Sequence, residues 1–190
     1  VTLLREGSPP IVAWIEGTRS ADGQECRAVV LDVTERRRAE AALRVERMNS
    51  DAIFEASPIA LFILDETTNI VRVNTAAVFL TGGSAAAALD HRPGNALRCV
   101  HASKDPRGCG YAPDCPLCPA RNGIESVLAS GGTLQGAELV LELIRDGVPV
   151  KVWMEIGAEP VQIDGRRHLC VAMDDITERK HVAEELRVAN

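Results

Sequence analysis

Two stretches of this 190-residue chain repeat one another in order, and that repeat limits the folds open to it. Near the start, after the short Val1-Thr2-Leu3-Leu4 strand and the Gly7-Ser8-Pro9-Pro10 turn, Ile11 to Glu16 reads as a strand. Asp22-Gly23 reads as a hairpin turn and Cys26 to Asp32 as a third strand. Asp32-Val33-Thr34-Glu35-Arg36 then runs a strand end into a helix. Near the end, Val150 to Glu155, Asp164-Gly165, Leu169 to Met173 and Asp175-Ile176-Thr177-Glu178-Arg179 give the same succession. Trp153 matches Trp14, and the offset drifts from 139 to 143. A single five-residue match is weak, but strand, turn, strand, cap and helix in one order is a repeat of supersecondary structure. Residues 1–34 therefore read as the closing strands of one domain and residues 57–177 as a complete domain of the same kind. A linker helix over 35–56 joins them, and 178–190 opens another helix.

Inside the complete copy, Ile59 to Leu64 is a buried strand and Ile70-Val71-Arg72-Val73 its alternating partner. Asn74 caps a short helix that Gly82-Gly83 stops, and Ser84 caps another as far as Leu89. Ala120 to Ala129 is a longer helix with Ile124, Val127 and Leu128 on one face. Leu139 to Ile144, Asp146-Gly147 and Val148 to Ile156 form a hairpin.

Between the short helices and the longer one lies a segment with neither period. Residues 92–119 are rich in Gly and Pro and carry Cys99, Cys109, Cys115 and Cys118, spaced C-x9-C-x5-C-x2-C. Such a segment buries too little apolar surface to order itself, so the thiols are its obvious fastening. Cys115-x2-Cys118 has the spacing that aims two sulfurs at one tetrahedral ion. Three readings stay open: one metal ion, an iron–sulfur cluster, or disulfide and redox chemistry. Zinc is the favoured occupant, as the commoner one in all-cysteine structural sites, with an iron–sulfur cluster second. His101 is a candidate extra ligand or a group behind the ligands. Arg121 could offset a tetrathiolate's charge but reads more simply as a surface residue. Cys26 and Cys170, within strands, read as small buried side chains, and Trp14 and Trp153 as sheet packing.

A net charge of −6 argues against a nucleic-acid surface. No apolar run approaches the roughly 20 residues that cross a bilayer, and no export signal is visible, so a reducing, cytoplasmic setting without membrane contact is expected. The chain opens mid-pattern without Met, as a piece of something longer would. Aromatic residues make up only 3% of it, so its core must be built from Val, Ile, Leu and Ala. No Ser/His/Asp set, phosphate loop or open metal site appears, which points away from an enzyme. Four sulfurs around one ion would close the site to substrate.

The order of elements in the complete copy, with Asn74-x-Ala76 entering its first helix, the Asp146-Gly147 hairpin and the Asp175-Ile176-Thr177-Glu178-Arg179 junction, resembles the PAS domain family. The resemblance covers nearly the whole chain. It implies an α+β fold: a five-stranded antiparallel sheet with short helices on one face, plus linker helices. It also implies a sensory role, relayed to an output domain of the same polypeptide such as a histidine kinase or cyclase. Asp175, Thr177, Glu178 and Arg179, with Asp32, Thr34 and Arg36 in the first copy, are the expected relay junction. Thr177 can cap the helix through its hydroxyl, and in this resemblance Asp175 would pair with Arg179. The flavin-contacting residues of the light-sensing branch are not visible. His91 and His101 are the only loop histidines open to haem, and neither is placed persuasively. The apolar stripe of 35–56 implies a homodimer through the linker helices, and the same stripe restarts after Thr177 with Val182, Leu186 and Ala189. A dimerisation module with a structural zinc staple is the alternative.

Overall fold

The structure, a computed structural model, describes residues 1–5, 7–21 and 24–188. The expected Asp22-Gly23 turn and Ala189 of the second helical stripe lie outside the described residues. The chain divides into two compact units, residues 1–52 and 53–190.

The first unit contains β1 (Thr2–Arg5), β2 (Ser8–Arg19) and β3 (Cys26–Asp32), antiparallel and in that order. Helix α1 (Thr34–Ala56) begins at the end of β3. Strand β3 is exposed along its whole length, Cys26 included. The reading of Cys26 as a buried side chain is therefore corrected.

The second unit is a five-stranded antiparallel sheet in the order β5-β4-β8-β7-β6. Strands β4 (Ala60–Leu64) and β5 (Ile70–Val73) come first. Strands β6 (Leu134–Arg145), β7 (Val148–Ile163) and β8 (Arg166–Asp175) close the unit. Between them lie α2 (Thr75–Thr81), α3 (Ala85–Ala88), α4 (Pro93–Ala96) and α5 (Pro119–Ser130), and α6 (Thr177–Val188) follows β8. The strands alternate as period-2 patterning demands: Leu169, Val171 and Met173 of β8 are buried, with half-buried residues between them. Ala77, Ala88, Leu97, Ile124 and Val127 from the helical segment complete one core with Phe62, Leu64, Met154 and Ile156 of the sheet. Each fully buried Leu, Ile, Phe or Met side chain among them contributes roughly 1.5–3 kcal/mol.

Two strands run further than their sequence suggests. β6 starts at Leu134 because Gly136, at φ 54°, bulges the strand and lets pairing with β7 resume at Ala137. β7 continues through Pro160, a residue with no N–H to give a neighbour. Its pairing to β6 ends at Ala158, so Pro160 pairs on one side only, to β8.

The repeat is visible in the hydrogen bonds. Ala13 pairs with Asp32, as Met154 pairs with Asp175. Val33 N–H donates to the Val12 carbonyl at 2.8 Å, as Ile176 N–H does to that of Trp153 at 2.9 Å. Val12, not Trp14, is thus the counterpart of Trp153, and Trp14 stands where Glu155 does. The sequence match was two residues out, a slip that a period-2 pattern conceals because it keeps every side chain on its face. Neither tryptophan is simply packed on the sheet: Trp14 is 47% and Trp153 38% exposed, and Lys180 Nζ lies 5.2 Å from the Trp153 ring. Among the described residues no helix is long and apolar enough to cross a membrane.

Candidate functional site

Cys99, Cys109, Cys115 and Cys118 all line one largely apolar cavity of about 70 Å³ in the second unit. The loop reaches it by polar anchoring, since its apolar content is low. Cys99 forms a β-bridge with Leu143 of β6. Val100 N–H donates to the Glu142 carbonyl, and Ile144 N–H to that of Arg98, each at 2.9 Å. The Cys109 N–H donates to Asn95 Oδ1 at 2.6 Å. The Asn95 amide lies where a side chain on Gly108 (φ 86°) would have to go. Cys115 opens a 3-10 turn (Cys115–Leu117), and Cys118 stands at the N-cap of α5 with Pro119 inside the first turn, a position that needs no N–H.

All six cysteines are free thiols. Cys115 is 4% exposed, and its Sγ accepts from the Gly110 N–H at 3.3 Å. Burial, and then the nearby Cys115, Cys99 and Cys118 thiols, push the Cys109 thiol up to about 11, against a backbone hydrogen bond at Gly94 that lowers it. No group of three or more His, Cys, Asp or Glu among the described residues is drawn together enough to hold a metal ion as it stands. The donor set itself suits a soft metal: four thiols, few competing oxygens and a wall of Leu and Ile.

Sequence reasoning missed what surrounds the thiols. Arg92 and Arg121 donate to the Cys109 and Gly110 carbonyls, each at 3.3 Å, so Arg121 is no plain surface residue. Asp114 accepts from Lys104 and meets His101 Nδ1, both at 2.9 Å. Lys104 and then His101 hold its carboxyl below the ordinary range. His101 also lines the cavity. With Nδ1 facing a carboxylate, only its Nε2 is left for a ligand. Cys170 is half-buried in β8, away from the loop, and burial raises its thiol pKa.

At the junction the expected partners are rearranged. Asp175 Oδ1 accepts from the Thr177 N–H at 3.0 Å, so the aspartate caps the turn. The threonine hydroxyl does not; it accepts from the Trp153 N–H at 2.9 Å and pins the helix start to β7. Thr34 does the same to Val12 at 2.7 Å, with Asp32 Oδ1 accepting from its N–H and hydroxyl. Arg179 goes to Glu155 Oε2 at 2.7 Å and not to Asp175, and Lys180 pairs with Glu138 of β6. In the first copy Trp14 occupies the Glu155 position, and Arg36 turns to Glu40 along its own helix. Glu178 is exposed in the first turn, where a helix N-terminus favours negative charge. Replacing Thr177 with Val removes the acceptor and keeps the shape. A loss of about 1 kcal/mol in urea-unfolding stability is expected, with faster hydrogen exchange at the Trp153 amide.

Neither a protein-family model nor a curated protein matches the sequence. Solved structures do. A PAS domain of a protein from Colwellia psychrerythraea superposes with TM-score 0.50 at 18% identity, over 70% of this chain and 98% of its own. The PAS domain of nitrogen regulation protein NR(II) from Vibrio parahaemolyticus matches with TM-score 0.48 at 20% identity, over 67% and 97%. An RNA-binding light-oxygen-voltage receptor matches 96% of this chain and 44% of its own, with TM-score 0.48 at 20% identity. The first of these, with the strand order above, gives the second unit the PAS fold and says nothing of a ligand.

Proposed function

We propose that this PAS-fold unit is the sensory module of a multidomain signalling protein. Cys99, Cys109, Cys115 and Cys118 bind a metal, zinc or iron–sulfur, and its state is relayed through the junction at Thr177 to an output domain such as a histidine kinase or cyclase. The observation that carries this reading is one strand shared by both ends. β6 is bridged to Cys99 at Leu143 and holds Lys180 of α6 through Glu138. Tightening the loop around a metal would alter β6 pairing at Glu142 and Ile144, and the same strand bears the anchor of α6 a few residues away. Catalysis, on this reading, belongs to other parts of the protein.

Hydrogen exchange with and without bound metal tests it. Metal removal should speed exchange in the loop, at Val100 and Ile144, and in the first turns of α6. If the change stops within residues 92–119, the loop is a staple and the dimerisation reading takes over. That reading has its own support in α1, where Leu43, Val45, Met48 and Ile53 are all exposed.

A further inference from the structure

We infer that Cys115 and Cys118 are a dithiol–disulfide pair whose oxidant is a low-molecular-weight disulfide of the glutathione class. The pair stands apart from the metal-binding reading above, because it needs no metal to form. Once joined, it leaves only Cys99 and Cys109 as thiols on the cavity wall.

The backbone brings the two residues within the span of a disulfide. The Cys118 N–H donates to the Cys115 carbonyl at 3.1 Å, closing the 3-10 turn over Cys115–Leu117. Such a turn holds its first and fourth Cα atoms less than about 7 Å apart, and side chains three positions apart stand over one another. A disulfide spans Cα separations of about 4.4–6.8 Å. Pro116 fixes φ inside the turn and Pro119 fixes it just beyond, so the chain has little freedom to lose when the sulfurs join. Cys99 and Cys109 are fastened elsewhere, to β6 and to Asn95.

The two sulfurs are unequally placed. Cys118 is half-buried at the N-cap of α5, next to the exposed Leu117. Ser, Thr, Asp or Asn ordinarily fills an N-cap, with its oxygen on an amide of the first turn. The Cys118 side chain makes no such bond, so capping does not account for a cysteine there. Cys115 is buried, with its Sγ on the Gly110 N–H. An outside disulfide therefore meets Cys118 first, and Cys115 resolves the product.

The step balances. Cys118 Sγ bonds to one sulfur of the small disulfide as that S–S bond breaks, and the first small thiol leaves with the Cys118 proton. Cys115 Sγ then bonds to Cys118 Sγ, and the second small thiol leaves with the Cys115 proton. The two cysteine sulfurs are oxidised and the small disulfide is reduced to two thiols.

The whole chain, purified without oxygen and treated with chelator, is to be equilibrated with oxidised glutathione, quenched in acid and digested with trypsin. The expected result is that the peptide Gly108–Arg121 loses two hydrogens. In tandem mass spectrometry its backbone should break on both sides of the segment 115–118 and not within it. Cys115→Ser should instead hold one glutathione on Cys118, about tenfold more of it than the wild type. A wild type that keeps glutathione on Cys118, a link that includes Cys99 or Cys109, or a peptide left reduced overturns the pair. Zinc and iron uptake are measured on parallel reduced samples. Metal bound by a chain that forms no link overturns the pair and leaves the metal-sensor reading standing. A link in a chain that takes up neither metal does the reverse.

Discussion

On the proposed metal-binding reading, replacing Cys115 with serine is expected to abolish metal uptake by the loop and to lower the melting temperature of the metal-loaded protein by roughly 10 °C. Cys115 is the most buried of the four thiols, and it stands between the loop's two halves: its N–H is bonded to the Ala112 carbonyl and its carbonyl to the Cys118 N–H. Serine keeps that backbone and nearly the same volume but offers a poor ligand to a soft metal. In the metal-free chain the change exposes little and costs about 1 kcal/mol, because the hydroxyl keeps the Gly110 N–H as a partner. The large loss comes from linkage, since a ligand that binds only the folded state stabilises it, and removing its site removes that term. Thermal unfolding of both proteins, loaded and chelator-treated, separates the two parts. The wild type should fall to the variant's level on chelation. Equal melting temperatures for the wild type with and without metal would show that bonds such as Asn95 to Cys109 hold the loop by themselves.

The elements that could be read from sequence are those whose chemistry is local. Asn74 and Ser84 cap their helices, and Gly82 ends one at φ 63°, because a cap needs only a side chain and an amide three residues on. The Asp–hydrophobic–Thr step was visible twice for the same reason. Its partners were not, because they come from other strands. The Thr177 hydroxyl finds Trp153, Arg179 finds Glu155, and Lys180 finds Glu138, contacts that appear only once β6 and β7 lie side by side. Likewise, the spacing of the four cysteines suggested that they lie near one another. That all four line one cavity depends on Cys99 being bridged to β6 across more than forty residues of chain. Asn95 left one signal in the sequence: an asparagine just after a glycine at the start of the Gly/Pro-rich segment, a residue type that bonds nearby backbone.

Asn74→Ala is expected to cost about 4 kcal/mol, as much as truncating a large core side chain. The side chain is 1% exposed and serves five backbone groups. Oδ1 accepts from the N–H of Leu61 and of Ala77, both at 2.9 Å, joining β4 to α2. Nδ2, with two hydrogens to give, lies within donating distance of the carbonyls of Phe54, Ser57 and Ile59 at 3.2, 3.3 and 2.9 Å, two of them sharing one hydrogen. Phe54 lies in the last turn of α1, where carbonyls have no partner within the helix, so one amide caps the end of one helix and the start of the next. Alanine strands at least the two N–H groups in a dry interior, at roughly 1–3 kcal/mol each. Asn74→Asp sharpens the test. A carboxylate keeps both acceptor contacts but faces three carbonyls with no proton to give, so its folded pKa rises above the ordinary value of about 3.9. The protonated acid can donate to one carbonyl. The variant's stability is then fully present below about pH 4 and is lost as pH rises through the raised value, a trend absent from the difference between wild type and Asn74→Ala. Urea titrations of the three proteins across that range measure it. A flat difference between Asn74→Asp and wild type would mean that the Nδ2 contacts contribute nothing, and that the end of α1 is fastened instead by Glu55, which accepts from Thr75, and by Phe54 stacked under Arg72.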